Sequence, residues 1–83
     1  MDHDLLANLH KLHTTELGEM RIKRNIHLET PDIIVWCVQK IKSADGIVRK
    51  GKNWYVTESG CIITINVHSY TVITAHKLQT QAE

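Results

Sequence analysis

The chain has 83 residues, 42% of them hydrophobic and 23% charged, with one proline and four glycines; this is room for a single domain, residues 1–83, and it excludes collagen-like, low-complexity and disordered classes. No apolar run approaches the roughly 18 residues of a membrane span, and Met1-Asp2-His3-Asp4 is acidic where a secretory signal would be basic and then apolar, so a cytoplasmic protein without membrane association is expected. The formal charge of +1 conceals segregation, because four acids against Lys11 leave residues 1–20 at net −3 while Arg21, Lys23 and Arg24 form one basic cluster and Arg49, Lys50 and Lys52 another.

In chain order, Leu5, Leu6, Leu9 and Leu12 recur at helical spacing and predict a helix over Asp4 to His13. Thr14 to Glu29 supports two readings. Thr15-Glu16 resembles a helix start, which favours a short helix ending near Asn25, yet Met20, Ile22, Ile26 and Leu28 alternate with polar residues as a strand would, and a strand would turn Arg24 onto the apolar face. Thr30 as N-cap, Pro31 at the first helical position and Asp32 at the positive end predict the next helix, running to about Ser43. Its apolar residues, Ile33 to Val38 and Ile41, cover most of the circumference, which predicts heavy burial.

From Ile47 the residues become β-branched and aromatic, with turn signals at Lys50-Gly51-Lys52 and Glu58-Ser59-Gly60. Ile47 to Val56 is one bulged strand or a small hairpin; Cys61 to His68 alternates cleanly; Tyr70 to Lys77 makes the last strand; and the tail from 78 to 83 should fray. The expected fold class is α+β, two or three N-terminal helices packed on a C-terminal antiparallel β-meander of three to four strands. Cys37 and Cys61 lack C-x-x-C spacing and fall in apolar stretches, so they read as core thiols.

The candidate chemistry lies on the meander. The polar alternates Thr64, Asn66 and His68 lie within reach of Thr74 and His76 in one register. Metal-independent RNA cleavage needs a general base for the ribose 2′-hydroxyl, an acid for the leaving 5′-oxygen and a fixed cation against the phosphorane. His76 with Lys77, Arg49, Lys50 and Lys52, and Tyr55 and Tyr70, offer these roles. Trp54-Tyr55 beside three cations suits stacking on unpaired bases. His10-x-x-His13 has a permitted metal-ligand spacing but no third ligand, so no metal and no cofactor is expected. Walker, nucleophile-elbow and dinucleotide glycine motifs are lacking, against nucleotide hydrolases, α/β-hydrolases and dinucleotide enzymes.

The stretches Leu12-His13-Thr14-Thr15, Arg21-Ile22-Lys23-Arg24-Asn25, Arg49-Lys50-Gly51-Lys52-Asn53-Trp54-Tyr55 and Ser69-Tyr70-Thr71-Val72-Ile73-Thr74-Ala75-His76-Lys77 resemble those of a small bacterial family, domain of unknown function 3781. That resemblance covers nearly the whole chain and brings no established activity. Helices followed by a sheet ending in Tyr70-Thr71-Val72-Ile73-Thr74-Ala75-His76 are also similar to the barnase, colicin and toxin-endoribonuclease superfamily. This second resemblance implies RNA cleavage on the sheet face, with His13, Arg21 and Arg24 from the helices facing Lys50, Tyr70, Thr74 and His76; the chain departs from barnase-like enzymes in lacking an obvious catalytic glutamate on a strand, which leaves the identity of a base open. The expected function is therefore a toxin-like metal-independent endoribonuclease. Its catalytic set would be His13, Lys50, Tyr70, Thr74 and His76, and its nucleic-acid contacts Arg21, Arg24, Arg49, Lys52, Trp54, Tyr55 and Lys77. The alternatives are a non-catalytic module, such as a phage or mobile-element inhibitor of a nucleic-acid enzyme, and a homodimer joined through a strand edge. The expected partner is RNA or a nucleic-acid-processing protein.

Overall fold

A computed structural model describes residues 3–27 and 32–77. Its elements are α1 (His3–Ala7), a 3-10 turn (Leu9–Lys11), α2 (Glu16–Ile26), α3 (Ile33–Lys42), β1 (Gly46–Lys50), β2 (Asn53–Glu58), β3 (Cys61–Asn66) and β4 (Val72–Lys77). The strands form one antiparallel sheet in the order β1-β2-β3-β4. Helices precede the sheet and cover one side of it, the expected α+β arrangement. Among the described residues no helix is long and apolar enough to cross a membrane.

Residues 16–26 resolve as helix. Thr15 Oγ1 caps the first turn by accepting from the Gly18 N–H at 3.0 Å, Glu16 and Glu19 occupy the positive end, and Lys23 and Arg24 the negative end. Gly18, Ile22 and Ile26, four residues apart, are buried against β4, whereas Arg24 is exposed, as a helix demands and a strand would not.

The first helix is shorter than the leucine spacing predicts: it ends at Ala7, and the chain passes through the 3-10 turn into an extended Leu12. Beyond it, the His13 backbone bridges the edge of β4, its N–H donating to the Tyr70 carbonyl (3.2 Å) and its carbonyl accepting from Val72 N–H (2.8 Å). A helix through His13 would leave that edge unpaired, so tertiary pairing overrides local spacing. Leu5 and Leu12 still reach the core, while Leu6 faces solvent.

The third helix begins at Asp32, whose Oδ1 accepts from the N–H groups of Ile34 (3.1 Å) and Val35 (3.2 Å). The expected capping residues Thr30 and Pro31 lie outside the described residues, as does the tail from 78 to 83. Burial here is narrower than expected. Ile33, Cys37 and Ile41 form the buried stripe, Ile34, Trp36 and Val38 are half-buried, and Val35 is 50% exposed, because the helix rests on one sheet face and nothing described encloses its far side. Burial pushes the Cys37 thiol up to about 12; both Cys37 and Cys61 are buried free thiols.

The segment from Ile47 to Val56 is a hairpin whose turn uses Gly51 at φ 63°. Ser59 and Gly60, both at positive φ, turn β2 into β3. Trp54, Val56, Ile63, Ile65, Val72 and Ala75 face the helices and close the core with Ile22, Ile26 and Ile41; each large apolar side chain so buried contributes about 1.5–3 kcal/mol. The β3–β4 register slips between Thr64 and Ile65, leaving Ile73 as the extra residue of a bulge.

Candidate nucleic-acid interface

Among the described residues no helix lies across the second side of the sheet, although Asn25 of α2 reaches Thr74 at its β4 edge and Thr64 at its centre is 8% exposed; the register arranges the side chains of this side in three rows. Lys50, Asn53 and Asn66 form the first; Val48, Tyr55, Thr64 and Thr74 the second; Gly46, Thr57, Ile62 and His76 the third. None of these residues is acidic. Glu58 alternates to the helix side, where it pairs with Lys40, and Asp45 accepts from the Ser59 N–H at the far turn. Val48, Lys50, Gly51 and Tyr55 line a hollow of about 500 Å³. Of these, Tyr55 is half-buried, Val48 is 60% exposed and Lys50 is exposed. Lys52 is exposed in the adjoining turn.

At the same end of the sheet, Asn66 organises the β3–β4 connection. Its Oδ1 accepts from the N–H groups of His68 and Ser69 (both 2.9 Å) and from Ser69 Oγ (3.2 Å). Ser69 Oγ lies 2.7 Å from Thr71 Oγ1, and that hydroxyl 3.0 Å from His13 Nε2. His13 Nδ1 lies 3.1 Å from the Lys11 carbonyl. A carbonyl only accepts, so Nδ1 carries the proton; in the neutral ring Thr71 then donates to Nε2, and because each hydroxyl has one proton Ser69 Oγ in that state donates to Thr71 rather than to Asn66. The basic nitrogen of His13 is thus turned towards Thr71.

The expected catalytic set is not gathered. His76 lies at the opposite end of β4 from His13, about 15 Å away by strand rise, and Lys50 is three strands across and four residues along from His76, roughly 20 Å. Tyr70, at φ 59°, turns to the helix side, its ring 5.3 Å from that of Trp54 and under the Lys11 ammonium. Thr74 Oγ1 accepts from Asn25 Nδ2 at 3.4 Å. Of the expected nucleic-acid contacts, Lys52 and Tyr55 join Lys50 around the hollow. Trp54 corrects the expectation: it is 3% exposed in the core and offers no face to a base. Alternation places it on the side opposite Tyr55. Arg49 alternates to Trp54's side of the sheet, its Nε 3.5 Å from the Gly51 carbonyl. Arg21 and Arg24 are exposed on α2. Lys77, at the far end, lines a second hollow with Ile26, His27, Trp36, Lys40, Ser59 and Cys61. Val48 was not singled out in the sequence, since a valine in a strand carries no signal of which side it faces. The Thr71 contact to His13 was equally hidden, resting on a pairing 58 residues apart.

A family model described as protein of unknown function (DUF3781) matches residues 6–76. The chain belongs to that family. The DUF3781 match runs from α1 to His76 and so takes in the whole second face of the sheet, the His13 bridge and both hairpin turns. No curated protein and no solved structure matches the chain, and the resemblance to barnase-like enzymes receives no support from them.

Proposed function

We propose that this DUF3781 protein binds single-stranded RNA on the second face of the sheet and holds it without cutting it. One observation carries the reading: a half-buried tyrosine lines a hollow with Lys50, near Lys52, on a face whose strand residues include no carboxylate. An unpaired base stacks on Tyr55 against Val48, and the two ammonium groups take the flanking phosphates. Asn53, Thr57 and Asn66 offer donors and acceptors to base edges and 2′-hydroxyls. Cleavage is left out because in-line transfer needs an acid and a base across one phosphate, whereas His13 is committed to Thr71 and His76 lies at the other end of β4.

Fluorescence anisotropy with labelled single-stranded oligonucleotides at low salt, in the presence of a chelator, tests this. Binding is expected with the RNA recovered intact. Tyr55→Ala should weaken it by about 5- to 150-fold, the range for losing one stacked base. Lys50→Ala should weaken it across all sequences and lower the salt slope by about 0.7, the value for one single-strand phosphate. Absence of binding at low salt, or a Tyr55→Ala variant that binds as the parent does, overturns the reading; chelator-resistant cleavage would replace it with catalysis.

A further inference from the structure

The two edges of the sheet differ. The His13 bridge pairs the outer edge of β4 at its start, whereas among the described residues no strand or bridge lies beside the outer edge of β1, and four of its five residues are exposed. The direction of its free backbone groups follows from one hydrogen bond. Val67 N–H donates to the Lys52 carbonyl at 2.9 Å, which makes Asn53 and Asn66 a pair of the non-hydrogen-bonded kind. Alternation then points the polar backbone groups of Trp54 and Val56 at β3, and those of Asn53, Tyr55 and Thr57 at β1. Their partners Lys50, Val48 and Gly46 answer them, so the N–H and C=O of Ile47 and Arg49 face outwards.

We propose that β1 pairs with β1 of a second copy of this chain, antiparallel about a two-fold axis at Val48, to give a continuous eight-stranded sheet. In that register Ile47 faces Arg49 of the second copy and each exchanges both backbone bonds with the other. This satisfies all the outward groups of both strands with four hydrogen bonds. Val48 meets Val48 of the second copy as a close, non-hydrogen-bonded pair, which covers a valine now 60% exposed. Charges at directly opposite positions agree, while the two Arg49 side chains stand diagonally across the axis on the helix side. Lys50 falls opposite Gly46, no cation faces a cation, and Asp45 comes between Lys50 and Lys52 of the second copy. A shift by one residue would remove the matching of outward donors to outward acceptors. The partner is identical and the axis is a two-fold, so the assembly closes at two copies.

Two variants and one mass measurement decide it. Sedimentation equilibrium from micromolar to near-millimolar protein should show the mass rising to twice that of the chain. Arg49→Pro removes an outward N–H that the β1–β2 ladder does not use, and it should hold the protein monomeric with its far-UV spectrum unchanged. Val48→Cys should form an intermolecular disulfide under mild oxidation, since Cα atoms of such a pair lie at about 4.5 Å, within disulfide reach. Lys50→Cys should not, because two copies of residue 50 would be roughly 13 Å apart along the strands. A monomer mass across the whole range, or equal cross-linking of the two cysteine variants, overturns the proposal. No RNA enters the test, so its outcome is separate from that of nucleic-acid binding.

Discussion

Glu58 ends β2 on the helix side of the sheet, 9% exposed, with Oε1 3.2 Å from Lys40 Nζ and Oε2 accepting from Ser43 Oγ (3.2 Å) and Ser59 Oγ (3.1 Å). Burial by itself would raise its pKa, but the Lys40 ammonium and the two serine hydroxyls outweigh it and hold the carboxyl below its ordinary value near 4.5. A carboxylate depressed in the folded state binds its proton more readily when unfolded. Its stabilising contribution is therefore complete above the unfolded pKa and is lost as pH falls through the lower folded one. Thermal melts between pH 6 and pH 3 should show a fall in midpoint that steepens below about 4.5, and Glu58→Gln should flatten that fall while lowering the midpoint at pH 7. An unchanged pH profile in the variant would assign the acid sensitivity elsewhere. Nothing in the sequence marks Glu58 apart from other acids. Its three partners come from α3 and the β2–β3 turn, and only the fold assembles them.

Among the elements, α2 packs on β4 with its Gly18 close to the Val72 carbonyl, and the missing side chain permits that fit. A Cβ at that position would fall on Thr14 Oγ1, which donates to the Val72 carbonyl at 2.9 Å, and press on Thr15 Oγ1, the helix cap. Gly18→Ala is thus a helix substitution with the wrong sign. Intrinsic propensity would stabilise by up to about 1 kcal/mol, yet the crowded Thr14–β4 contact should make the variant less stable by about 1–3 kcal/mol; urea unfolding that shows a gain would refute the close packing. The same contrast governs what could be read before folding. The meander was legible because β-branched alternation and the glycines of both turns act within a few residues. The second helix was legible in its cap and less so in its body, where alternation imitated a strand. The length of α1 was not legible: whether residues 8–13 continue a helix depends on an edge of β4 nearly 60 residues later. The candidate site divides in the same way, with Lys50, Lys52 and Tyr55 together because they share one hairpin, and His13 and His76 apart because chain order says nothing of sheet position.

For the whole molecule, the near-neutral charge of +1 argues against a polycation that holds RNA by bulk attraction, and directs affinity to the few groups placed on one face. Two lysines at one hollow give a modest salt slope and a weak single site. Pairing through β1 changes the arithmetic without adding a contact, because the row Thr74, Thr64, Tyr55, Val48 continues across the two-fold into its own mirror order. The two Tyr55 rings are then separated by three strand spacings, about 14 Å, on one continuous surface. An oligonucleotide that reaches both hollows binds its second half at a high effective concentration, whereas one that fills a single hollow gains nothing. Affinity should therefore step up by at least about tenfold once the oligonucleotide is long enough to cross the axis, with the salt slope roughly doubling at the same length. Arg49→Pro, with its side chain on the other side of the sheet, should abolish the step and leave short-oligonucleotide affinity in place. A smooth length dependence that the variant shares would mean that each copy binds RNA alone, and the joined sheet would have no part in recognition.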